Sequence, residues 1–470
     1  MIADEATGDD CDVLVVGAGI SGLTAAFRLA RNGFRVEVIE AEGRTGGVIG
    51  SDRSDGVLYE RGPTSFRETD PVIPALLADL GIADKRVEVN AAAVKRYIVR
   101  NGALIALPAS PAAFLATPLF SVRAKLNLLR EPFVAPAGTR IEESVSGFVT
   151  RRLGRELLDY AVEPFVAGIY AGNPDELSLA AAFPRLAALE HRYGSLLRGQ
   201  ILGASERGER HVSRSFSFGG GMGTLTDALA RAVGVRTQAR AMEIAPTGDG
   251  AIVVGIESAR GRSQSRARAV VLAVPADRAA ALVQALAPDA ARALDEIPYA
   301  PVASVAGTYA RAHVAHALDG FGFLVPRAEK RRILGTLFSS SMFDGRAPEN
   351  AVLLTTYVGG RRDPRLAQCS EDELQAMVAD ELAVCLGASQ RPRSSVVTRW
   401  PRAIPQYTLG HRERIERAER VQSVLPGLYL CASYRGGVSV GDCIRSAHET
   451  ADAVTAHLGN RSRERNKSRA

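Results

Sequence analysis

The sequence predicts an α/β protein in which a nucleotide-binding domain, assembled from both ends and the middle of the chain, carries a mixed-sheet second domain and a helical insertion. Three observations predict it. A strand, glycine turn, helix and strand follow one another at the start; a strand, glycine loop and helix recur at the end; between them lie strand-like runs and one long stretch of helical periodicity. The expected division is 1–92, 215–297 and 421–459 for the nucleotide-binding domain, 93–107 and 298–420 for the second domain, 108–214 for the insertion, and 460–470 as a basic disordered tail.

The run Val13 to Val16 is apolar, uninterrupted and bounded by glycine, which reads as a buried parallel strand, and Leu23 to Leu29 takes up helical spacing. Gly17 permits the tight turn, Gly19 lets backbone N–H groups approach a pyrophosphate, and Gly22 lets helix and strand pack closely. Ala18, Ile20 and Ser21 complete that turn. Glu40 ends the next strand at the spacing where a carboxylate accepts from a ribose 2′-hydroxyl. In that order the elements make a Rossmann-like dinucleotide site. Glu40-Ala41-Glu42-Gly43-Arg44-Thr45-Gly46-Gly47-Val48 follows. A cationic fork suits phosphate or ribose oxygens, and paired glycines let main chain pass against a flat ring.

With 470 residues, 46% hydrophobic and 23% charged, the chain has the length and balance of a globular protein of two or three packed units. The net charge of +6 does not indicate nucleic acid: Arg461 to Ala470 hold five basic residues and one acidic, leaving +2 for the rest. Five scattered cysteines without C-x-x-C spacing fit a reducing compartment, and the expected location is cytoplasmic. Met1 to Asp12 is acidic and lacks an apolar core, so no signal or transit peptide is expected. Ala103 to Phe120 is uncharged, but Pro108, Pro111 and Pro118 argue against a free-standing spanning helix.

Further along, Gly62-Pro63-Thr64-Ser65 reads as a turn whose backbone can face a ligand. Lys95 to Ile105 predicts a β-hairpin turning at Asn101-Gly102, with Arg96 at its foot as an anchor for a carboxylate. Glu142 to Gly199 predicts helices, the one through Phe165 terminated within Gly168 to Gly172, and Ser178 capping the next. Together with the amphipathic entry from Pro108, this insertion either covers the site or lies against a membrane. Ala269 to Val274 predicts a strand, Ser304 to Tyr309, Phe321 to Val325, Arg332 to Phe338 and Ala351 to Val358 predict more, and Glu371 to Leu386 predicts a helix. Trp400, the only tryptophan, stands in a proline-flanked corner, Trp400-Pro-Arg-Ala-Ile-Pro405-Gln-Tyr407, that favours a ligand-facing position slightly. Val438, Ser439 and Val440 open the last helix, whose N-terminus can hold an electron-rich oxygen.

Several runs carry a family resemblance: Glu40 to Val48, Lys95-Arg96-Tyr97-Ile98 before Asn101-Gly102, Leu107-Pro108 with Ser110-Pro111, and Glu163-Pro-Phe-Val-Ala-Gly168-Ile-Tyr-Ala-Gly172-Asn-Pro-Asp-Glu-Leu-Ser178. Leu334-Gly-Thr-Leu337-Phe338-Ser339-Ser340, Tyr357-Val-Gly-Gly360 and Arg435-Gly-Gly-Val-Ser-Val440 complete the set. Over nearly its whole length the chain resembles the oxygen-dependent, FAD-containing protoporphyrinogen and coproporphyrinogen oxidase family, within the flavin amine oxidase superfamily. The resemblance implies an FAD-binding domain of amine-oxidase type and non-covalent FAD along Arg44, Gly47, Val48, Ala41 and Gly62 to Ser65. Its adenine would lie near Ala241, with further contacts at Trp400, Ser433 and Val438 to Val440. Ala432 and Ser433 replace the family's commoner glycine and asparagine, which puts the Ser433 side-chain contact in doubt.

By the same resemblance Arg96 would bind a propionate, Leu324 and Leu337 would flank one side of a tetrapyrrole, Tyr357 would place its ring against a pyrrole, and Gly168 would lie near the reacting methylene bridge. The implied reaction is the penultimate step of haem (and chlorophyll) formation, a six-electron oxidation of a porphyrinogen in three hydride transfers to flavin N5, with O₂ as acceptor and H₂O₂ released. Seven scattered histidines without metal spacing or a nucleophile–base pair suit chemistry left to a cofactor. The general pattern leans to protoporphyrinogen IX over coproporphyrinogen III. Handover of product to a ferrochelatase, peripheral contact with the inner face of the cell membrane and a homodimer are the partner expectations. An amine oxidase and a non-catalytic binding protein on this fold, like the GDP-dissociation inhibitors, are the alternatives; 6% aromatic residues argue weakly against the first, and intact flavin motifs against the second.

Overall fold

A computed structural model describes residues 11–136, 142–205 and 215–467. Two sheets organise it. The first has six strands, in the order Ala239–Pro246, Ile252–Ser258, Gly261–Leu272, Cys11–Val16, Val36–Ile39, with Leu428–Leu430 joining the C-terminal end of Gly261–Leu272. Cys11–Val16 runs parallel to both of its neighbours. Val13 and Val15 point into one core with the helices Ile20–Arg31 and Val440–Lys467, while Leu14 and Val16 point into another with Ala276–Val283 and Pro288–Asp295. Burial on both faces is why the strand reads as unbroken apolar sequence rather than as alternation.

The second sheet has seven strands: Ser394–Pro405, Tyr299–Ala310, Ala351–Gly359, Ile333–Leu337, Gly320–Leu324, Lys95–Arg100 and Ala103–Ala106. It is mixed, because Gly320–Leu324 pairs parallel to Lys95–Arg100 and the other ladders are antiparallel. The expected hairpin forms, with Asn101 and Gly102 both at positive φ. Helix Glu371–Leu386, started by a reciprocal Ser370–Glu373 capping box, covers one face of the sheet by burying Leu374, Val378 and Leu382 against Val305, Phe323 and Leu354.

The insertion differs from the expected helices in two respects. Helix Val145–Leu153 stops at Gly154, whose φ is +89°, and a π-helical turn, Leu158–Val162, precedes Glu163–Tyr170. Helix Glu163–Tyr170 ends within Gly168 to Gly172 as expected, but its left-handed cap is Ala171, at φ +46°, rather than a glycine. Tertiary bonding outweighs intrinsic preference there: the Ala171 carbonyl accepts from Arg361 N at 2.7 Å. Ser178 caps Leu179–Ala182 as expected. A fully buried pair, Arg152 and Glu131 at 2.8 Å, ties these helices together, with Ser195 Oγ and the Leu196 and Leu197 N–H groups donating to the same carboxylate.

The chain end is a correction. The last helix, Val440–Lys467, continues through most of the stretch expected to be disordered, as arginine and glutamate are good helix formers; residues 468–470 lie outside the described part, as do residues 1–10. Among the described residues, no helix is long and apolar enough to cross a membrane.

Candidate active site

Strands Cys11–Val16 and Leu428–Leu430 both run parallel to Gly261–Leu272, and each leads at its carboxyl end into a glycine-rich turn and a helix. The N-termini of Ile20–Arg31 and Val440–Lys467 therefore open at the same edge of one sheet. The N–H groups of Ser21 and Gly22 at the first, and of Val440 and Gly441 at the second, have no acceptor among the described residues. Gly17, at φ +103°, turns the chain so tightly that a Cβ there would lie 2.6 Å from Ala273 O. A cradle of unpaired donors with no room for side chains fits the phosphates and an electron-rich ring oxygen of a dinucleotide.

Around this cradle the cofactor expectations gather. Glu40 follows Val36–Ile39, and its carboxylate accepts from Ala18 N at 2.8 Å and Glu42 N at 2.9 Å, so it is fixed beside the turn. Ala241 lies in the strand Ala239–Pro246, whose first residue donates to Glu40 O at 2.8 Å, next to Ala41. Gly46 N donates to Ala18 O at 2.8 Å, laying Gly47 and Val48 along the turn. Arg44 spends its fork on its own loop, donating to Thr45 O and Ile49 O at 3.1 Å each and to Gly47 O. Burial and then Arg61 lower its pKa, and its guanidinium stands 5.8 Å from the Trp400 ring. It thus shapes the loop rather than presenting a free fork. Gly62 packs so closely on Val48 that a Cβ would lie 2.3 Å from Val48 O, which brings Pro63, Thr64 and Ser65 to the same rim. Half-buried Trp400 donates its Nε1 to Arg61 O at 2.8 Å, joining the second sheet to this rim.

The register of the second sheet brings the substrate expectations together. Ile98, Leu324, Gly335, Tyr357, Ser304 and Thr398 form one row across six strands, and Arg96, Gly322, Leu337, Thr355, Ala306 and Val396 form the next row two residues on. Trp400, opposite Val302, continues the same parity. Residues two apart on a strand share a face, so Arg96, Leu324, Leu337, Tyr357 and Trp400 all lie on the face opposite helix Glu371–Leu386. Gly168 faces Leu324 from helix Glu163–Tyr170; a Cβ on it would lie 3.0 Å from Leu324 Cδ2. Arg96 is exposed, with its guanidinium 5.2 Å from the Phe321 ring. Burial, then the neighbouring Arg67, lowers its pKa.

Two residues that sequence reasoning left without a role hold the second turn. Tyr407 Oη donates to Ser433 O at 2.6 Å and accepts from Gly437 N at 2.8 Å, closing the loop that precedes Val438, Ser439 and Val440. His411 stacks on Tyr407 at 4.0 Å and binds Tyr434 O through Nε2 at 2.9 Å. Ser439 Oγ accepts from Asp442 N at 3.1 Å as the helix cap. The Ser433 carbonyl is engaged by Tyr407, so in this loop it is main chain rather than side chain that the fold controls.

Tyr407→Phe would leave a carbonyl and an N–H of that loop unpaired. At about 1–3 kcal/mol for such a loss, flavin dissociation is expected to rise roughly five- to hundredfold with the fold intact. Titration of released flavin fluorescence measures it; an unchanged dissociation constant would mean that other contacts hold the loop. Burial pushes the His411 imidazole down to about 4 from 6.5. A folded pKa below the unfolded one means that its contribution to stability is complete above about pH 6.5 and is lost as pH falls toward 4. Flavin retention is expected to weaken over that window, and a pH series on His411→Gln should be flatter than on the parent protein.

A dinucleotide cradle at the carboxyl edge of a parallel sheet, facing an apolar wall on a second, mixed sheet, defines a two-lobed nucleotide-dependent oxidoreductase. The chain belongs to the flavin containing amine oxidoreductase family, whose model matches residues 20–455, and its cofactor is FAD. It is 34% identical to the mitochondrial protoporphyrinogen oxidase of Nicotiana tabacum over 95% of each chain. It is 29% identical to the coproporphyrinogen III oxidase of Bacillus subtilis (strain 168), over 94% of this chain and 98% of that one. The crystal structure of a candidate protoporphyrinogen oxidase from Exiguobacterium sp. 255-15 superposes with a TM-score of 0.81 at 26% identity, covering 97% of this chain and all of that one.

Proposed function

We propose that this chain oxidises a porphyrinogen to a porphyrin, protoporphyrinogen IX first among substrates, by three successive two-electron steps with O₂ as acceptor. The observation that carries the reading is the shared face: one cation, two leucines and a tyrosine at matched register, closed by a helix glycine and bounded by the tryptophan that meets the cofactor rim. A porphyrinogen is a broad apolar macrocycle with carboxylates at its edge, and this face has the same layout. Bound FAD supplies the hydride acceptor. The chain supplies orientation and exclusion of water: the Arg96 fork takes a propionate, Leu324 and Leu337 cover apolar surface, and the bare backbone at Gly168 admits the edge that reacts. Arg96 also disfavours an amine substrate, because one cation repels another.

Coproporphyrinogen III is the second reading, favoured by the B. subtilis relative and by Arg67, whose charge reaches Arg96 and would suit a substrate with more carboxylates. Anaerobic mixing of the flavin-loaded protein with each porphyrinogen separates these readings. Fast bleaching of the flavin by protoporphyrinogen IX, then porphyrin fluorescence and H₂O₂ on admitting oxygen, is expected. Faster bleaching by coproporphyrinogen III would move the substrate and keep the site; bleaching by neither would sink the reading.

The entry helices support peripheral membrane contact. Val122, Leu126 and Leu129 are exposed at helical spacing on Val122–Arg130, and Leu115 and Phe133 on the flanking helices are exposed as well, Phe133 by 84%. Vesicle flotation with Leu126→Asp and Phe133→Asp tests it, and flotation equal to the parent protein would remove this surface from the proposal.

A further inference from the structure

The loop joining Gly320–Leu324 to Ile333–Leu337 meets the turn after Ala351–Gly359 around a cavity of about 320 Å³. Its charged lining is Arg327, Lys330, Arg331, Arg332 and Arg362, against a single carboxylate, Asp363. None of these charged residues lies in either sheet, although Leu334 and Gly359 of the second sheet also line the cavity.

Three of the cations are paired from outside the lining, Arg332 with Glu381 at 3.4 Å and Asp380 at 3.8 Å among them, but the lining itself offers only Asp363. The Asp363 carboxylate is taken by Arg365 at 3.2 Å. Arg362 is 13% exposed; its Nη2 donates to Glu163 Oε1 at 2.7 Å and Val325 O at 2.9 Å, but its Nε and Nη1 are buried without a partner among the described residues. Arg331 pairs with Glu381 through Nη1 at 3.1 Å, and its Nε is likewise buried without a partner. Arg327 and Lys330, both exposed, have no side-chain ion pair among the described residues. A guanidinium cannot shed its charge, and a buried donor without an acceptor costs about 1–3 kcal/mol, so the wall lacks acceptors.

We propose that this cavity binds a small multivalent oxyanion, of the size and charge of pyrophosphate or a tricarboxylate, apart from the cofactor cradle. Planar guanidinium forks match clustered anionic oxygens, and Lys330 adds a point charge at the mouth. The volume lies at the small end of ligand pockets, which suits a compact anion. The occupant would be felt at the active site, because Glu163, which holds Arg362 and accepts from Arg327 N at 2.9 Å, begins the helix that carries Gly168.

The test is calorimetric titration of the flavin-loaded protein at low salt, once with inorganic pyrophosphate and once with citrate, so that occupied cofactor phosphate sites cannot compete. Saturable one-to-one binding of at least one of them, tighter than about 1 mM, is expected, and the stronger arm names the ligand class. The Arg327→Gln/Lys330→Gln double variant breaks no ion pair among the described residues and should weaken that binding at least tenfold with unchanged melting temperature and flavin content. Binding that survives the double variant, or no saturable heat with either anion, would overturn the proposal and leave the cavity to water. The outcome does not depend on which porphyrinogen is oxidised, since nothing is turned over.

Discussion

Gly22→Ala protein is expected to retain less than about a tenth of the parent's bound flavin, a loss of at least ~1.4 kcal/mol in cofactor binding. A Cβ at that position would lie 2.0 Å from Gly17 O and 2.9 Å from the Ala273 side chain. Neither neighbour can give way, because Gly17 N is bonded to Ile39 O at 2.8 Å and Ala273 N to Val16 O at 2.8 Å. The start of helix Ile20–Arg31 has to move instead, and its unpaired N–H groups move with it away from the phosphates. Gly43→Ala is the control: its Cβ would meet nothing within 4 Å, and its flavin content should match the parent's. Absorbance per mole of protein, read beside circular dichroism, separates loss of cofactor from loss of fold. A fully yellow Gly22→Ala protein would show that the pyrophosphate does not lie on this turn.

Local chemistry made much of this legible in the sequence. Val13 to Val16, Asn101-Gly102 and Glu371 to Leu386 each carry their signal within a few residues, and the structure realises all three. The layout of the substrate face is different in kind. Arg96, Leu324, Leu337 and Tyr357 come from four strands, and their sharing a face depends on strand order and register, including a parallel pairing between segments more than two hundred residues apart. No periodicity within one strand encodes that. Tyr407 ends the proline-flanked corner after Trp400, but its role rests on two bonds to a loop near residue 435, a long-range fact. Arg44 shows the limit of residue type as a guide: a guanidinium beside glycines suits phosphate, yet here the nearest acceptors are carbonyls of its own loop.

Arg96→Ala is expected to raise KM for the porphyrinogen by roughly ten- to hundredfold while kcat and flavin content stay near the parent values, matching the ~1.5–3 kcal/mol of a hydrogen bond to a charged group. The strand should survive the change, since its neighbours anchor it: Lys95 Nζ and Tyr97 Oη each reach the Asp319 carboxylate at 2.5 Å. Arg96 itself has no carboxylate partner among the described residues, and although its surface is exposed, partial desolvation and then Arg67 lower its pKa. A cation held in such a place without a counter-ion gains most from an anion that arrives with the substrate. If a fork is what matters, Arg96→Lys should recover only part of the loss, because an ammonium offers the charge without the paired geometry. If charge alone matters, Lys should restore KM and the effect should fade with added salt. Unchanged KM in Arg96→Ala with both porphyrinogens would remove this residue from the site and leave the carboxylates to be met elsewhere on the same face.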